Sequence, residues 1–139
     1  MEAMLSKEEF KKALEAARKP EHGVMHPFSL AWARGEFSRQ QLGQWAVQHY
    51  YYVDAIAQQF AALYSRLPDL DARRELLDNL IGEEMPGRPG KRHPELCAQF
   101  ARACGVSDDD IYRAEEKGLI LPTTRAMRAW IWELASQRT

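Results

Sequence analysis

The stretch from Ser38 to Pro68, SRQQLGQWAVQHYYYVDAIAQQFAALYSRLP, decides the fold class. Within it Leu42, Trp45, His49, Tyr52/Val53, Ile56, Phe60 and Leu63 recur at the three- and four-residue intervals of a helix face. Ser38 and Gln41 supply a capping box at its start, the serine oxygen taking a first-turn amide while the glutamine reaches back, and Pro68 ends it. The spacing predicts one unbroken helix, the longest in the chain, about 40 Å at the standard rise. No alternating run of β-branched residues competes with this pattern, so the expected architecture is all-α.

The same signals extend outward on both sides. Towards the N-terminus, Ser6 and Glu9 form a second capping box ahead of an amphipathic helix carrying Phe10, Leu14 and Ala17, which Pro20 stops. His26-Pro27 then opens a two-turn helix through Phe28, Leu30 and Trp32 to Gly35. Towards the C-terminus, Asp69 or Asp71 caps a helix whose expected inner face is Leu76, Leu77, Leu80 and Ile81. A loop of Pro86, Gly87, Pro89 and Gly90 follows, and His93-Pro94 starts a helix with Leu96, Cys97, Phe100, Ala101 and Cys104 inward and Gly105 as its stop. Ser107 caps a short helix with Ile111 and Tyr112, and residues 123–137 form the last, with Met127, Trp130, Ile131 and Leu134. The expectation is about seven helices in a single domain spanning residues 1–139. That last helix is apolar and aromatic with nothing after it to cover it, so another subunit or further chain is expected to pack there.

Composition narrows the function classes. With 139 residues, 19 Lys+Arg against 20 Asp+Glu and a formal net charge of -1, the chain has the size of one domain and no field to draw in nucleic acid or an anionic membrane. Residues 1–10 have neither the basic flank nor the apolar length of a signal peptide, and charge interrupts every apolar run, so the expected location is the cytoplasm. Cys97 and Cys104 fall seven apart on one helix, about two turns or ~10 Å, too far for an unstrained disulfide. They read as small core residues rather than reactive thiols.

The residues that point to chemistry are Glu83 and His93. Glu83 lies three past Leu80 and seven past Leu76, which continues the inner face of its helix. An inward carboxylate needs a cation, an imidazole or a metal beside it. His93 returns after the Gly/Pro loop as the candidate partner, and carboxylate oxygen with imidazole nitrogen suits iron, manganese or zinc. The plain alternative is that Glu83-Glu84 is a solvated helix end and His93 a cap. His49 lies on the long apolar stripe, as a hydrogen-bonded core residue or a ligand, while His22 and His26 read as structural. Arg73-Arg74 and Arg125/Arg128 read as solvated faces or salt-bridge partners. No phosphate-binding glycine loop, nucleophile elbow or Cys-x-x-Cys is present, and Pro86 follows Glu83 where a ferritin-type Glu-x-x-His would need histidine.

Taken in order, His26-Pro27-Phe28, Ala31-Trp32-x-x-Gly35, Gln41-Leu42-x-x-Trp45, Tyr51-Tyr52, Arg73/Arg74 through Leu77-x-Asn79-Leu80, Glu83-Glu84, and His93-Pro94-Glu95-Leu96 through Phe100-x-x-Ala103-x-Gly105-Val106 resemble the heme-oxygenase-like helical superfamily. Within it they are similar to the branch of pyrroloquinoline-quinone synthesis protein C, the TenA/THI-4 proteins and the chlamydial death-domain-associating protein. The resemblance covers nearly all of residues 22–134. It implies a helical bundle around a cavity, of which this chain is the N-terminal portion, the C-terminal helices being missing. It implies that Glu83 and His93 match the early glutamate and histidine ligands of the di-iron oxidase members, whose later ligands stand on helices that would follow Thr139. Ser29 and Trp45 stand where chlamydial members carry tyrosines, so chemistry that consumes the protein's own tyrosine is not expected.

The resulting expectation is an iron-dependent oxidase of a small organic metabolite, using dioxygen. Glu83 and His93 would be metal ligands, Trp45, His49, Tyr52 and Phe60 would wall the substrate cavity, and a homo-oligomer would form. The alternatives are a metal-free helical module that oligomerises through its last helix, or a cofactorless protein of cofactor biosynthesis. Fold-level kinship leaves the substrate open.

Overall fold

A computed structural model describes residues 5–19 and 23–137. It is helical, with no strand among the described residues, as the periodicity predicts. The chain divides into two compact units, residues 1–37 and residues 38–139.

The first unit contains α1 (Lys7–Arg18), a single 3₁₀ turn (Gly23–Met25) and α2 (Pro27–Ala33). The Ser6/Glu9 capping box forms, with the Ser6 N–H donating to the Glu9 carboxylate at 2.8 Å. The intended inner face of α1 stays open: Phe10 and Leu14 are exposed. His26 caps α2, its Nδ1 accepting the Phe28 N–H at 3.1 Å. Around α2 the rings of Phe28, Trp32 and Phe37 cluster, the Phe28 and Phe37 centroids 4.8 Å apart. Pro20 and His22 lie outside the described residues.

The second unit holds α3 (Arg39–Val53), α4 (Ile56–Tyr64), α5 (Leu70–Glu84), α6 (His93–Ala103), α7 (Asp108–Tyr112) and α8 (Pro122–Ser136). One helix was expected where α3 and α4 stand. The break is a tightened turn at Asp54-Ala55, where the Ala55 N–H reaches back three residues to the Tyr52 carbonyl at 3.3 Å. Both residues keep right-handed helical φ/ψ angles, so the apolar rhythm runs through without a glycine or proline to mark it.

The core is built from small side chains. α3 packs chiefly on α6, and the buried residues at their contact are Gly43, Ala46, Ala98 and Ala101, joined by Ile111 of α7. A second cluster, Val47, Ala114 and Ile120, sits beside it, and Val106 packs on both. Ile111 is 2% exposed, a burial that contributes roughly 1.5–3 kcal/mol. The bulky residues expected to face inward flank this seam instead. Trp45, His49, Tyr52 and Phe60 are half-buried; on α6 Leu96 is 42% exposed, and Phe100, 37% exposed, sets its ring edge-on to Trp45 with centroids 6.1 Å apart. On α5 the stripe of Arg73, Leu76, Leu80 and Glu83 is the more buried, and Leu77 and Ile81 face outward. On α8 Met127, Trp130 and Leu134 of the apolar face read from the sequence are exposed, 59% for Trp130, while Ile131 is half-buried.

Two of the arginine pairs divide. Arg74 forms an exposed pair with Asp71 at 3.1 Å, whereas Arg73 is half-buried with its Nε enclosed and unpartnered. Arg128 is no solvated cation: it donates to the Tyr51 carbonyl at 2.9 Å and lies 4.3 Å over the Tyr51 ring. With Gln59, 2% exposed and donating to the Arg128 carbonyl at 3.2 Å, it ties α8 to α3 and α4.

Gly43 decides how closely α3 and α6 approach. A Cβ there would sit 2.9 Å from Cγ2 of Val106 and 3.4 Å from Cβ of Cys104. Valine cannot swing clear as a long side chain would. Gly43→Ala should therefore lower stability by about 1–2 kcal/mol despite alanine's better helix propensity. Thermal unfolding followed by circular dichroism checks this; an unchanged or raised midpoint would contradict the tight seam.

Candidate metal centre

The loop between α5 and α6 brings two helix ends together. Met85 ends α5 in the left-handed region at φ 43°, its N–H donating to the Ile81 carbonyl at 2.8 Å, and Gly90 at φ 75° completes the reversal. The Gln99 side chain donates to the Gly90 carbonyl at 2.8 Å, which fastens the loop to α6. The Arg92 N–H donates to the Glu95 carboxylate at 3.0 Å, so Glu95 does the capping and His93 is left at the first helical position with its ring available.

Glu83 and Glu84 are both half-buried, not a solvated end. They take different partners. Arg92 grips Glu84 through Nε at 2.7 Å and a second nitrogen at 3.2 Å. Glu83 Oε2 lies 2.7 Å from His93 Nδ1, with the Glu83 side chain only 21% exposed. A carboxylate oxygen accepts, so in this bond Nδ1 carries the hydrogen and Nε2 of a neutral ring keeps its lone pair. The sequence-predicted pairing of Glu83 with His93 is present as a contact.

α3 contributes the next group. His49 stacks on Trp45 one turn away, centroids 4.5 Å apart and planes 17° from parallel. Its ring stands edge-on to His93 with centroids 6.3 Å apart, and the Tyr52 ring centroid is also 6.3 Å from it. Burial, and secondarily the nearby His93 charge, push the His49 pKa below the ordinary histidine value. Trp45, His49 and Tyr52 thus form one aromatic wall beside His93. Phe60, expected with them, stands on α4 beyond the break. A separate groove of about 320 Å³ lies where Tyr51, Gln58, Gln59, Arg125, Arg128 and Trp132 meet, and none of the four expected cavity residues lines it.

Cys97 is the residue sequence reasoning left out of the site. It is half-buried, and its sulfur lies with one nitrogen each of His49 and His93 in a group whose donor atoms are all within 4.8 Å of one another. The available signal was the four-residue interval from His93 to Cys97, which places both on one face of α6. Burial, and then the Glu83 carboxylate, raise the Cys97 thiol above the usual range, which fits its reading as an unreactive thiol in the absence of a cation. Cys104 is likewise free and half-buried.

The lowered His49 pKa sets a pH dependence. The unfolded chain takes up the proton more readily than the folded one, so His49 lowers stability as pH falls through the ordinary histidine range and leaves it unaffected above. Between pH about 7.5 and about 5.5 the denaturant midpoint should therefore drop more for the native sequence than for His49→Gln. Equal drops would remove His49 as the cause.

Residues 12–138 match the family model described as the TENA/THI-4/PQQC family. The chain is 39% identical over 98 residues to a 4-aminobenzoate synthase of Chlamydia muridarum, covering 70% of this chain and 40% of that protein. It is 33% identical over 115 residues to a 4-aminobenzoate synthase of Nitrosomonas europaea, 76% of this chain and 46% of the relative. A pyrroloquinoline-quinone synthase of Pseudomonas syringae pv. syringae is 33% identical over 122 residues, 87% of this chain and 46% of that enzyme. The chain thus spans less than half the length of these curated relatives. No helix among the described residues is long and apolar enough to cross a membrane. On the extent of the family match, and with all-α architecture to accompany it, this chain belongs to the TENA/THI-4/PQQC family.

Proposed function

We propose that this chain is part of an iron-dependent oxidase that acts on a small organic metabolite with dioxygen, and that Glu83 and His93 are its contribution to the metal. The observation that carries this reading is the convergence of a half-buried carboxylate and an imidazole, 2.7 Å apart, from two helices joined by a fastened loop. The donor set fits iron: oxygen and nitrogen, at a place where an unpaired carboxylate would be costly. The names of the relatives support the substrate class, since 4-aminobenzoate synthase and pyrroloquinoline-quinone synthase are named for making small organic compounds.

Bound iron would supply dioxygen binding and electron transfer. The chain's own residues prepare the place for it. The hydrogen bond between Glu83 and His93 holds the carboxylate and the imidazole side by side and fixes the ring's orientation. A cation shared by the two would take the place of the hydrogen between them, with a Glu83 oxygen and His93 Nδ1 both turned towards it. Trp45, His49 and Tyr52 give the adjacent wall, largely apolar with a phenol and an imidazole for polar contact. One carboxylate and one imidazole leave a dinuclear centre short of ligands, so this reading calls for donors from a second subunit or from another segment of the protein.

The test is the iron content of the purified protein, with oxygen uptake measured alongside. Glu83→Ala and His93→Ala should each lower bound iron at least tenfold and abolish oxygen uptake with it. Equal iron in the variants and the native sequence would sink the assignment. A second reading is supported by the exposed Met127, Trp130 and Leu134 on one face of α8: a metal-free helical module that self-associates through this face. Light scattering bears on it, a dimer without iron favouring the module and a monomer opposing it. Substrate-like ligand binding without iron would instead favour cofactorless chemistry.

A further inference from the structure

We propose that His49, His93 and Cys97 form a binding site for one thiophilic divalent cation, with zinc as the type ion. The site shares His93 with the iron reading but uses a different donor set and does not depend on it. Its three donor atoms already lie within 4.8 Å of one another, drawn from two helices. Zinc–nitrogen bonds of about 2.0–2.1 Å and zinc–sulfur bonds of about 2.3 Å put tetrahedral donors roughly 3.3–3.6 Å apart. The gap is on the order of 1 Å, within reach of small side-chain rotations at half-buried positions.

The fold holds each donor in place for a reason independent of metal. His93 and Cys97 are one turn apart on the first half of α6, so both look the same way. His49 faces them from α3 because the Gly43/Ala46 and Ala98/Ala101 contact brings the two helices close. Trp45 limits rotation of the His49 ring by stacking on it, and Glu83 takes the His93 Nδ1–H, which leaves Nε2 as the ligating nitrogen. In this site Glu83 orients a ligand and is not one itself.

The chemistry selects the ion. Two imidazoles and a thiolate favour zinc or cobalt(II) over magnesium, calcium and manganese. As the cation binds, the Cys97 Sγ–H bond gives way to a sulfur–metal bond and the proton passes to water, with no change of oxidation state. Three protein ligands leave a fourth position for water, the pattern of reactive rather than purely structural zinc sites.

Cobalt(II) titration of the whole chain tests this. The native sequence should develop the thiolate-to-cobalt charge-transfer absorption and the visible bands of a tetrahedral ion, displaced by zinc. Cys97→Ser should lose the charge-transfer band, Cys104→Ser should keep it, and His49→Phe should weaken binding at least tenfold. In the native chain, needing no variant to fold, zinc should protect Cys97 and not Cys104 from alkylation. No thiolate band, a band that survives Cys97→Ser, or alkylation of Cys97 unaffected by zinc would overturn the site. Glu83→Ala separates the two proposals: it should abolish iron binding yet keep the cobalt–thiolate band at saturation, with affinity reduced about 10- to 100-fold.

Discussion

The close approach of α3 and α6 is the constraint on which the rest of this structure depends. It exists because Gly43 and Ala46 on one helix meet Ala98 and Ala101 on the other, with Val106 set against the glycine. Small residues bury little apolar area, so the seam gains its stability from dense contact and from the larger side chains gathered at its ends, Ile111 above all. What the seam determines is distance. With a wider separation the His49 ring on α3 would not stand beside His93 on α6, and the one face shared by His93 and Cys97 would look onto solvent.

The loop that precedes α6 solves a second problem, two adjacent carboxylates at a half-buried helix end. Repulsion between them would raise the cost of folding unless each found its own counterpart. Arg92 takes Glu84 with two nitrogens, an arrangement an arginine fork satisfies and an imidazole cannot. Partly exposed, that pair contributes at most about 1 kcal/mol. Its larger effect is selective, since with Arg92 committed to Glu84 the neighbouring Glu83 is left to the His93 ring.

How much of this was legible in the sequence follows from the range of each signal. Helix starts are written in contacts three residues long, and Ser6, Ser38, Asp69 and Ser107 all cap where their sequence pattern places them. The juxtaposition of Glu83 and His93 was legible too, because a short Gly/Pro loop restricts where the chain can return. Which face turns inward was not. Hydropathy ranks tryptophan, leucine and phenylalanine above alanine and glycine, yet closeness of packing gave the interface to Gly43, Ala46, Ala98 and Ala101 and left Leu96, Leu77 and Ile81 outside. The interruption at Asp54-Ala55 was invisible for a related reason, since a turn made by residues of helical conformation leaves the apolar rhythm intact. The grouping of Cys97 with His49 was not legible, because the two stand 48 positions apart and the four-residue interval from His93 to Cys97 reports only half of it.

His93 is where these threads meet, and the hydrogen bond on its Nδ1 governs what it can do. While Glu83 accepts that hydrogen, only Nε2 can ligate, and a cation there must be completed from whatever else lies close. If His49 and Cys97 complete it, the set is nitrogen and sulfur and suits zinc. A cation that displaces the hydrogen instead is held by a Glu83 oxygen and Nδ1, a set of oxygen and nitrogen that suits iron. Both arrangements draw on one imidazole held by one carboxylate, so they exclude each other at any moment, and the choice between them turns on whether Glu83 serves the metal or only the histidine.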